Sequence, residues 1–394
     1  MSEHVVENFI CTLPWRIGNT IELLVDGDQF FPHILDACAQ ARHSIDIELY
    51  LFESGQIANR FISTLSAAIE RGVRVRLLLD HVGSYNLDQQ DVLLMRQRNF
   101  DLRFFNRVER HKMFRNLSRD HRKLITVDRQ LAFVGGAGIT DAFSPQVSGR
   151  RAWRELMVEI RGPVVNDWQI LFERAWANHE AIHNEQLRER ILHWHQPAFN
   201  AHHMNREIPQ ARVNATRGLG NKPIMGALLS EMKKAESCIW ISTAYFFPAR
   251  KLLNLLRKAA HNGIDVRLLL PGPHTDHPSV RFAGRSWYSM LLKDGVRIYE
   301  YQPRFLHMKL ALVDDWCSLG SCNFDRWNLR WNLEANLEVI DHEFAGQVEA
   351  MLVNDFTQSV EFTHERWKQR GLLEKIREHL WKYVALFLSR LTNQ

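Results

Sequence analysis

Residues 121–141 read HRKLITVDRQLAFVGGAGITD, and residues 307–325 read HMKLALVDDWCSLGSCNFD. Both open with H-x-K, pass through an apolar run to an aspartate, and reach a Gly/Ser-rich turn after a second apolar run. Upstream, RGVRVRLLLD at 71–80 matches NGIDVRLLLP at 262–271, and SIDIELYLF at 44–52 resembles SCIWISTAYFF at 237–247. The copies stand roughly 190 residues apart and keep their order, which marks two homologous halves.

Working outward, each half gives the same series of elements. A strand (45–51; 239–243) leads to an amphipathic helix (56–71; 249–262) and a strand of β-branched and Leu residues (73–79; 264–270). A second helical stretch (87–98; 279–294) and a short strand (102–105; 296–299) precede the motif strand pair. A last strand (156–160; 335–340) and helix (163–178; 343–358) close the half. Alternating strands and helices predict an α/β fold: two α/β/α sandwich halves with mostly parallel sheets, related by a pseudo-twofold axis. The expected division is 1–180 for the first half, 181–222 for a polar connection, 223–362 for the second half, and 363–394 for a basic amphipathic C-terminal helix.

The 394 residues are 45% hydrophobic and 24% charged, normal for a folded chain of more than one core. The net charge of +5 favours anionic partners without choosing among phosphate, nucleic acid and lipid. Much of the excess sits between Arg103 and Lys123, which reads either as a solvated basic loop or as an anion-binding approach to His121. Five irregularly spaced cysteines give no disulfide framework and no zinc ribbon, so a reducing compartment is expected. The histidines of 193–203 lack ligand spacing, and no metal is expected. No signal peptide and no membrane-spanning run is read from the sequence, so membrane contact would be peripheral.

The motifs carry the chemistry. On a strand, His121 and Lys123 point to one face, as do His307 and Lys309. Lysine holds a phosphoryl oxygen as a point charge, and histidine attacks or moves protons near neutral pH. Two such sites meeting at one axis supply a metal-free displacement at phosphorus, in which one histidine attacks and the other protonates the leaving oxygen.

On these residues the chain resembles the phospholipase D superfamily. His121, Lys123 and Asp128 match its first signature, and His307, Lys309 and Asp314 its second. Gly320, Ser321, Asn323 and Asp325, then Asn332 and Glu334, match the G-S-x-N-x-D and N-x-E elements that follow. The resemblance implies a phosphohistidine on one histidine, taken as His121, with His307 as acid/base and no cofactor. It implies a carboxylate holding the second nitrogen of each histidine: Glu155 for His121 and Glu334 for His307. Ser321 and Asn323 are expected to bind phosphate. Asp128 and Asp314 belong to the signature and are expected to act structurally rather than chemically. One departure stands out: Gly138 occupies the place of an expected Asn, leaving its contact to backbone, to Thr140, or unmade.

W-R-I-G-N at 15–19, A-Y-F-F-P at 244–248 and N-L-E-A-N at 332–336 resemble bacterial cardiolipin synthases lacking N-terminal transmembrane helices. That resemblance implies phosphatidyl transfer from phosphatidylglycerol to a second phospholipid, phosphatidylglycerol or phosphatidylethanolamine. The implied partner is an anionic phospholipid membrane, met peripherally on its cytoplasmic side, and no nucleic acid is expected. Residues 367–391 form a basic amphipathic pattern suited either to that interface or to packing on the core. Phe104, Phe105, Trp287 and Tyr288 read as core or as lipid-groove residues. The alternatives are a phospholipase D hydrolase, a nuclease or phosphodiesterase of the same superfamily, and a non-enzymatic scaffold.

Overall fold

The structure is a computed structural model that describes residues 12–109, 116–181, 208–216, 223–324, 332–371 and 381. Its strands in chain order are β1 (Arg16–Ile17), β2 (Thr20–Val25), β3 (Ser44–Leu49), β4 (Arg74–Asp80), β5 (Asp101–Phe105), β6 (Lys123–Val127), β7 (Leu131–Gly135) and β8 (Leu156–Arg161). They continue as β9 (Gln210–Ala215), β10 (Cys238–Thr243), β11 (Asp265–Pro271), β12 (Arg297–Tyr301), β13 (Lys309–Val313), β14 (Trp316–Gly320), β15 (Ala335–Ile340) and β16 (Ser359–Phe362). Among the described residues they form a seven-stranded sheet, β2-β8-β7-β6-β3-β4-β5, and a nine-stranded sheet, β1-β9-β15-β14-β13-β10-β11-β12-β16.

The two halves are indeed built alike, but the mostly parallel pairing expected of them is corrected. Among the described residues only β3-β4-β5 and β10-β11-β12 run parallel within the two sheets; every other strand pair in them is antiparallel. The reason lies in connection length. A parallel pair needs a crossover, which the helices Gln56–Glu70 and Arg250–His261 supply. The motif strands have no room for one: β6 reaches β7 through residues 128–130, and β13 reaches β14 through 314–315. Such short links make hairpins.

Three further readings change. The connection 181–222 contains β9, which pairs with β15 from Gln210↔Ile340 to Ala215↔Ala335 and so extends the second sheet. The single helix expected at 279–294 is two, Pro278–Arg285 and Tyr288–Lys293. The helices Gly27–Gln40 and Pro223–Met232 were not anticipated. The histidines at 193–203 and nearly all of 372–394 lie outside the described residues. Trp367, at the start of the amphipathic C-terminal pattern, is buried against Tyr288 with ring centroids 4.9 Å apart. Tyr288 is therefore core.

Apolar strand faces explain the layering. The outer faces of the sheets are covered by helices of their own half, forming one core around Phe31, Phe61 and Ile125 and another around Leu228, Leu256 and Leu268. The inner faces share a third core, joining Leu124 and Val158 of the first sheet to Leu310 and Leu337 of the second. Trp168 and Phe172 of the helix Val164–Ala181, and Val348 and Leu352 of the helix His342–Thr357, fill this shared core. The halves thus meet over a continuous apolar layer rather than a polar seam.

Candidate active site

At the rim of the shared core, each motif is stitched to the other half. The segment before β6 forms a parallel bridge, Asp120↔Leu333, and the segment before β13 forms its counterpart, Arg154↔Leu306. His121 N–H donates to Leu333 O at 2.9 Å, and His307 N–H donates to Arg154 O at 2.8 Å. These equivalent contacts give the pseudo-twofold relation a concrete form. They also bring each histidine beside the acidic residue of the opposite half.

The histidine–carboxylate pairing is accordingly the reverse of the one expected. His121 Nδ1 lies 3.0 Å from Glu334 Oε2 and 3.2 Å from Ser321 O. His307 Nδ1 lies 2.5 Å from Glu155 Oε2. Both neighbours of His121 Nδ1 are acceptors, so Nδ1 carries the proton and Nε2 is the lone-pair nitrogen of the neutral ring. Among the described residues His121 Nε2 makes no hydrogen bond. Glu334 is fixed in turn: its backbone N–H donates to Thr216 Oγ1 at 2.8 Å, and its carboxylate accepts from Ser321 Oγ at 2.5 Å and Asn332 Nδ2 at 3.3 Å.

The lysines turn back onto their own motifs. Lys123 Nζ donates to His121 O at 2.6 Å, and Lys309 Nζ contacts His307 O and lies 2.8 Å from His307 Nδ1 and 3.1 Å from its Nε2. Both lysines, Glu155, Glu334 and His307 are buried, and His121 is half-buried. Burial lowers the pKa of His307 to about 4, with Lys309 pushing the same way. Burial lowers Lys123 to about 7, opposed by Glu334 and assisted by Lys309 across the interface. His121 and Lys309 are lowered by burial as well. Burial pushes the Glu155 carboxyl up, but Lys309 and His307 outweigh it and hold the carboxyl below its ordinary value. Four bases and two acids acting on one another across the interface make one electrostatic site, not two.

A family model described as "Cardiolipin synthase, PLD-like domain" matches residues 34–176 and 228–356. The chain belongs to this family. It is 32% identical to Cardiolipin synthase B of Salmonella typhi over 361 residues, 87% of this chain and 83% of that one. It is 32% identical to Cardiolipin synthase A of Pseudomonas aeruginosa over 379 residues, 95% of this chain and 74% of that one. The fold is that of the crystal structure of phosphatidylserine synthase from Haemophilus influenzae Rd KW20, with TM-score 0.71 at 14% identity and 94% of each chain covered.

Within this cardiolipin synthase-type site, the remaining expected residues divide. Asp128 and Asp314 do not reach it. Each begins the hairpin turn at the far end of its motif strand, about 16 Å from the lysine at a rise of about 3.3 Å per residue. There Asp128 accepts the backbone N–H groups of Arg42, His43 and Ser44 at 2.9, 2.7 and 2.9 Å. Asp314 accepts those of Glu236, Ser237 and Cys238, all at 2.9 Å. Their work is to fix the start of β3 and of β10.

Ser321 lies at the site, its carbonyl oxygen 3.2 Å from His121 Nδ1, and Asn323 follows two residues on. The Ser321 hydroxyl is spent on Glu334, while the buried Asn323 Oδ1 has no hydrogen-bond partner among the described residues. In the first half no equivalent side chains exist, and none would fit. A Cβ on Gly136 would stand 2.2 Å from Glu155 Oε2, and one on Gly138 would stand 2.4 Å from Leu51 O. Thr140 does not substitute, because its hydroxyl donates to Glu53 Oε2 at 2.6 Å.

The basic approach to His121 is partly spent inside the fold. Arg119 pairs with Asp80 at 3.5 Å, Arg122 with Glu48 at 3.2 Å, and Arg103 lies 3.8 Å from the centre of the Trp176 ring. Residues 110–115 lie outside the described residues.

Sequence reasoning passed over the rings that surround the histidines. Tyr50 meets His121 at 4.7 Å between centroids, while Phe143, Trp153 and Phe305 enclose His307 at 5.5, 5.1 and 5.7 Å. Trp153 stands two residues before Glu155, and Phe305 two before His307, so proximity to the motifs was the available signal. Away from the site, Glu22, His33 and Glu159 form the one His/carboxylate group of metal-ligand spacing among the described residues. Glu159 is already engaged by Arg161 at 2.9 Å and His33 at 3.0 Å, which satisfies it as an ion-pair network.

Proposed function

We propose that the protein is a cardiolipin synthase that transfers a phosphatidyl group through a phosphohistidine formed on His121. The observation that supports this most is the crossed pairing, His121 with Glu334 and His307 with Glu155, because each half then completes the reacting group of the other.

A phosphodiester enters between Lys123 and Lys309, with Asn323 as a further donor. Its negative charge raises the basicity of His307 and lets it hold a proton. His121 Nε2 attacks phosphorus, the bond to the head-group glycerol oxygen breaks, and His307 gives that oxygen its proton. A hydroxyl of the second lipid then loses its proton to His307 and attacks phosphorus, which breaks the phosphorus–nitrogen bond and frees His121. The donor is phosphatidylglycerol, and the second lipid, which supplies the attacking hydroxyl, is phosphatidylglycerol; phosphatidylethanolamine has no free hydroxyl and takes part only as an alternative donor, with ethanolamine leaving in place of glycerol. The apolar cage around His307 disfavours water as the competing acceptor. The enzyme meets the anionic membrane peripherally, from its cytoplasmic side; among the described residues no helix is long and apolar enough to cross it.

The test is incubation of the purified chain with phosphatidylglycerol vesicles, followed by lipid mass spectrometry and acid-quenched peptide mapping. Cardiolipin with free glycerol, and a phosphatidyl adduct on the His121 peptide, are expected. Phosphatidic acid alone would make the protein a hydrolase of the same superfamily. An adduct on His307 would reverse the two histidine roles.

A further inference from the structure

Eight large hydrophobic side chains stand out into solvent among the described residues, and five of them, Val82, Tyr85, Leu93, Leu94 and Val108, fall between positions 82 and 108. Ile17, Ile208 and Val353 are scattered elsewhere. Tyr85 is 84% exposed, Val108 54% and Val82 41%, values that a core-facing residue never shows.

The two loops that carry these three residues are held firmly. The buried Asp80 carboxylate at the end of β4 accepts the N–H groups of Val82 and Gly83 at 2.9 and 3.0 Å, and Ser84 N–H closes the turn on Asp80 O at 2.9 Å. Gly83 lies so close to Tyr50 that a Cβ there would stand 2.1 Å from Tyr50 O. Only glycine permits that approach. The neighbouring loop, which carries Val108, is tied on by His81 N–H donating to Phe105 O at 3.1 Å. Tyr50 in turn meets the ring of His121. The loop that carries Val82 and Tyr85 thus packs on Tyr50, the residue that meets the His121 ring. In the second half the equivalent loop after β11, residues 272–277, reads GPHTDH and offers no large apolar tip.

We propose that Val82, Tyr85 and Val108 form the surface by which the protein docks on an anionic bilayer, seating it beside His121. The inference rests on the lipid-transfer reading above. Together the three side chains expose on the order of 300 Å², well under the roughly 800 Å² per partner that a stable protein interface needs. Separate apolar tips on rigid loops suit insertion among lipid head groups instead, and tyrosine is a residue of the membrane–water interface. The exposed Arg107, its guanidinium 5.4 Å from the Phe104 ring, stands beside Val108, and the chain carries a net charge of +5. Both favour phosphatidylglycerol over zwitterionic lipid.

The experiment is co-sedimentation of the full chain with sucrose-loaded vesicles of phosphatidylglycerol and phosphatidylcholine, read as bound fraction and without reference to lipid turnover. Val82→Ser/Tyr85→Ser/Val108→Ser is expected to weaken partitioning by about tenfold or more, since each apolar tip contributes through the area it buries. Ile208→Ser/Val353→Ser, elsewhere on the surface, should bind as the parent does. Tyr85→Ser and Tyr85→Trp alone, too mild to unfold the chain, should move binding in opposite directions, weaker and tighter. Equal binding by the parent, the triple variant and both Tyr85 variants overturns the proposal, as does an equal loss in the Ile208/Val353 variant. A parent that binds through this face but makes no cardiolipin would overturn the transfer reading and leave the surface standing.

Discussion

Glu155 Oε2 of the first half lies 2.5 Å from Nδ1 of His307 in the second, and Glu334 Oε2 stands 3.0 Å from Nδ1 of His121 in the same crossed way. Neither half therefore contains a complete histidine–carboxylate pair. The geometry predicts that Glu155→Gln disturbs the histidine distant from it in sequence. Nitrogen NMR of labelled histidines should show the tautomer of His307 shifting while His121 keeps its own, and cardiolipin formation should fall about a hundredfold or more, as when an orienting carboxylate is lost elsewhere. Glu334→Gln should give the mirror result. A shift confined to His121 in the Glu155 variant would reject the crossed pairing.

Asp128 and Asp314 sit in the same signatures as the histidines, yet each accepts three backbone N–H groups away from the site. Asp128→Asn should lower unfolding stability by about 1–3 kcal/mol, the range for removing a good acceptor. Turnover of the folded fraction, measured at a temperature where the variant is folded, should change less than about threefold. Burial pushes the Asp128 carboxyl up, but the amides of Ser44, Arg42 and His43 bring it below its ordinary value. Its stabilisation is thus full above pH 3.8 and is lost as pH falls through the folded value. Urea titrations should show this acid limb flattened in the variant.

The sequence made the motifs legible because H-x-K needs its residue types for chemistry, and duplication removed chance as an explanation. It could not assign the carboxylates. Glu155 and Glu334 each stand about 30 residues beyond one histidine, and that spacing says nothing about which histidine lies across the interface. Strand and helix alternation suggested parallel sheets, whereas the links 128–130 and 314–315 were the better guide, being too short for crossovers. The strand Gln210–Ala215 was hidden in a polar stretch because its partner, β15, lies far along the chain. Thr216, at its end, escaped for the same reason, although it anchors Glu334.

Gly138 departs from the family pattern, and the departure, like the neighbouring Gly136, is built into the packing. Restoring the pattern with Gly138→Asn should reduce stability by at least about 1–3 kcal/mol, because the new Cβ meets Leu51 O at 2.4 Å and backbone cannot swing aside as a side chain does. Gly136→Ser should strike the Glu155 carboxylate, 2.2 Å from its Cβ, and displace the partner of His307. Thermal unfolding should therefore show a lower midpoint for both variants, and neither should exceed the parent in cardiolipin formation. A gain in turnover with Gly138→Asn would mean that the first half lacks a phosphate donor that the site can accommodate.

His307 gives the fold a pH dependence of defined sign. Its pKa falls from 6.5 in the unfolded chain to about 4 in the buried site, through burial and the Lys309 charge. Above pH 6.5 the residue is neutral in both states and adds no slope. Between pH 6.5 and about 4 the unfolded chain binds a proton that the folded chain refuses, so acidification favours unfolding. Asp80 and Asp355 work in the opposite direction. Burial raises both from 3.8 to about 6, so between those values the folded chain binds the extra protons and is stabilised as pH falls. The parent's net slope in this window is a difference of opposing contributions, and only a variant isolates the histidine. In His307→Gln the aspartates remain and the destabilising proton is gone. Its denaturant-measured stability, plotted against pH from 6.5 down to 4, should therefore lose less on acidification than the parent's does, or even gain. Parallel curves for the two proteins would mean that His307 titrates alike folded and unfolded, against its burial beside Lys309.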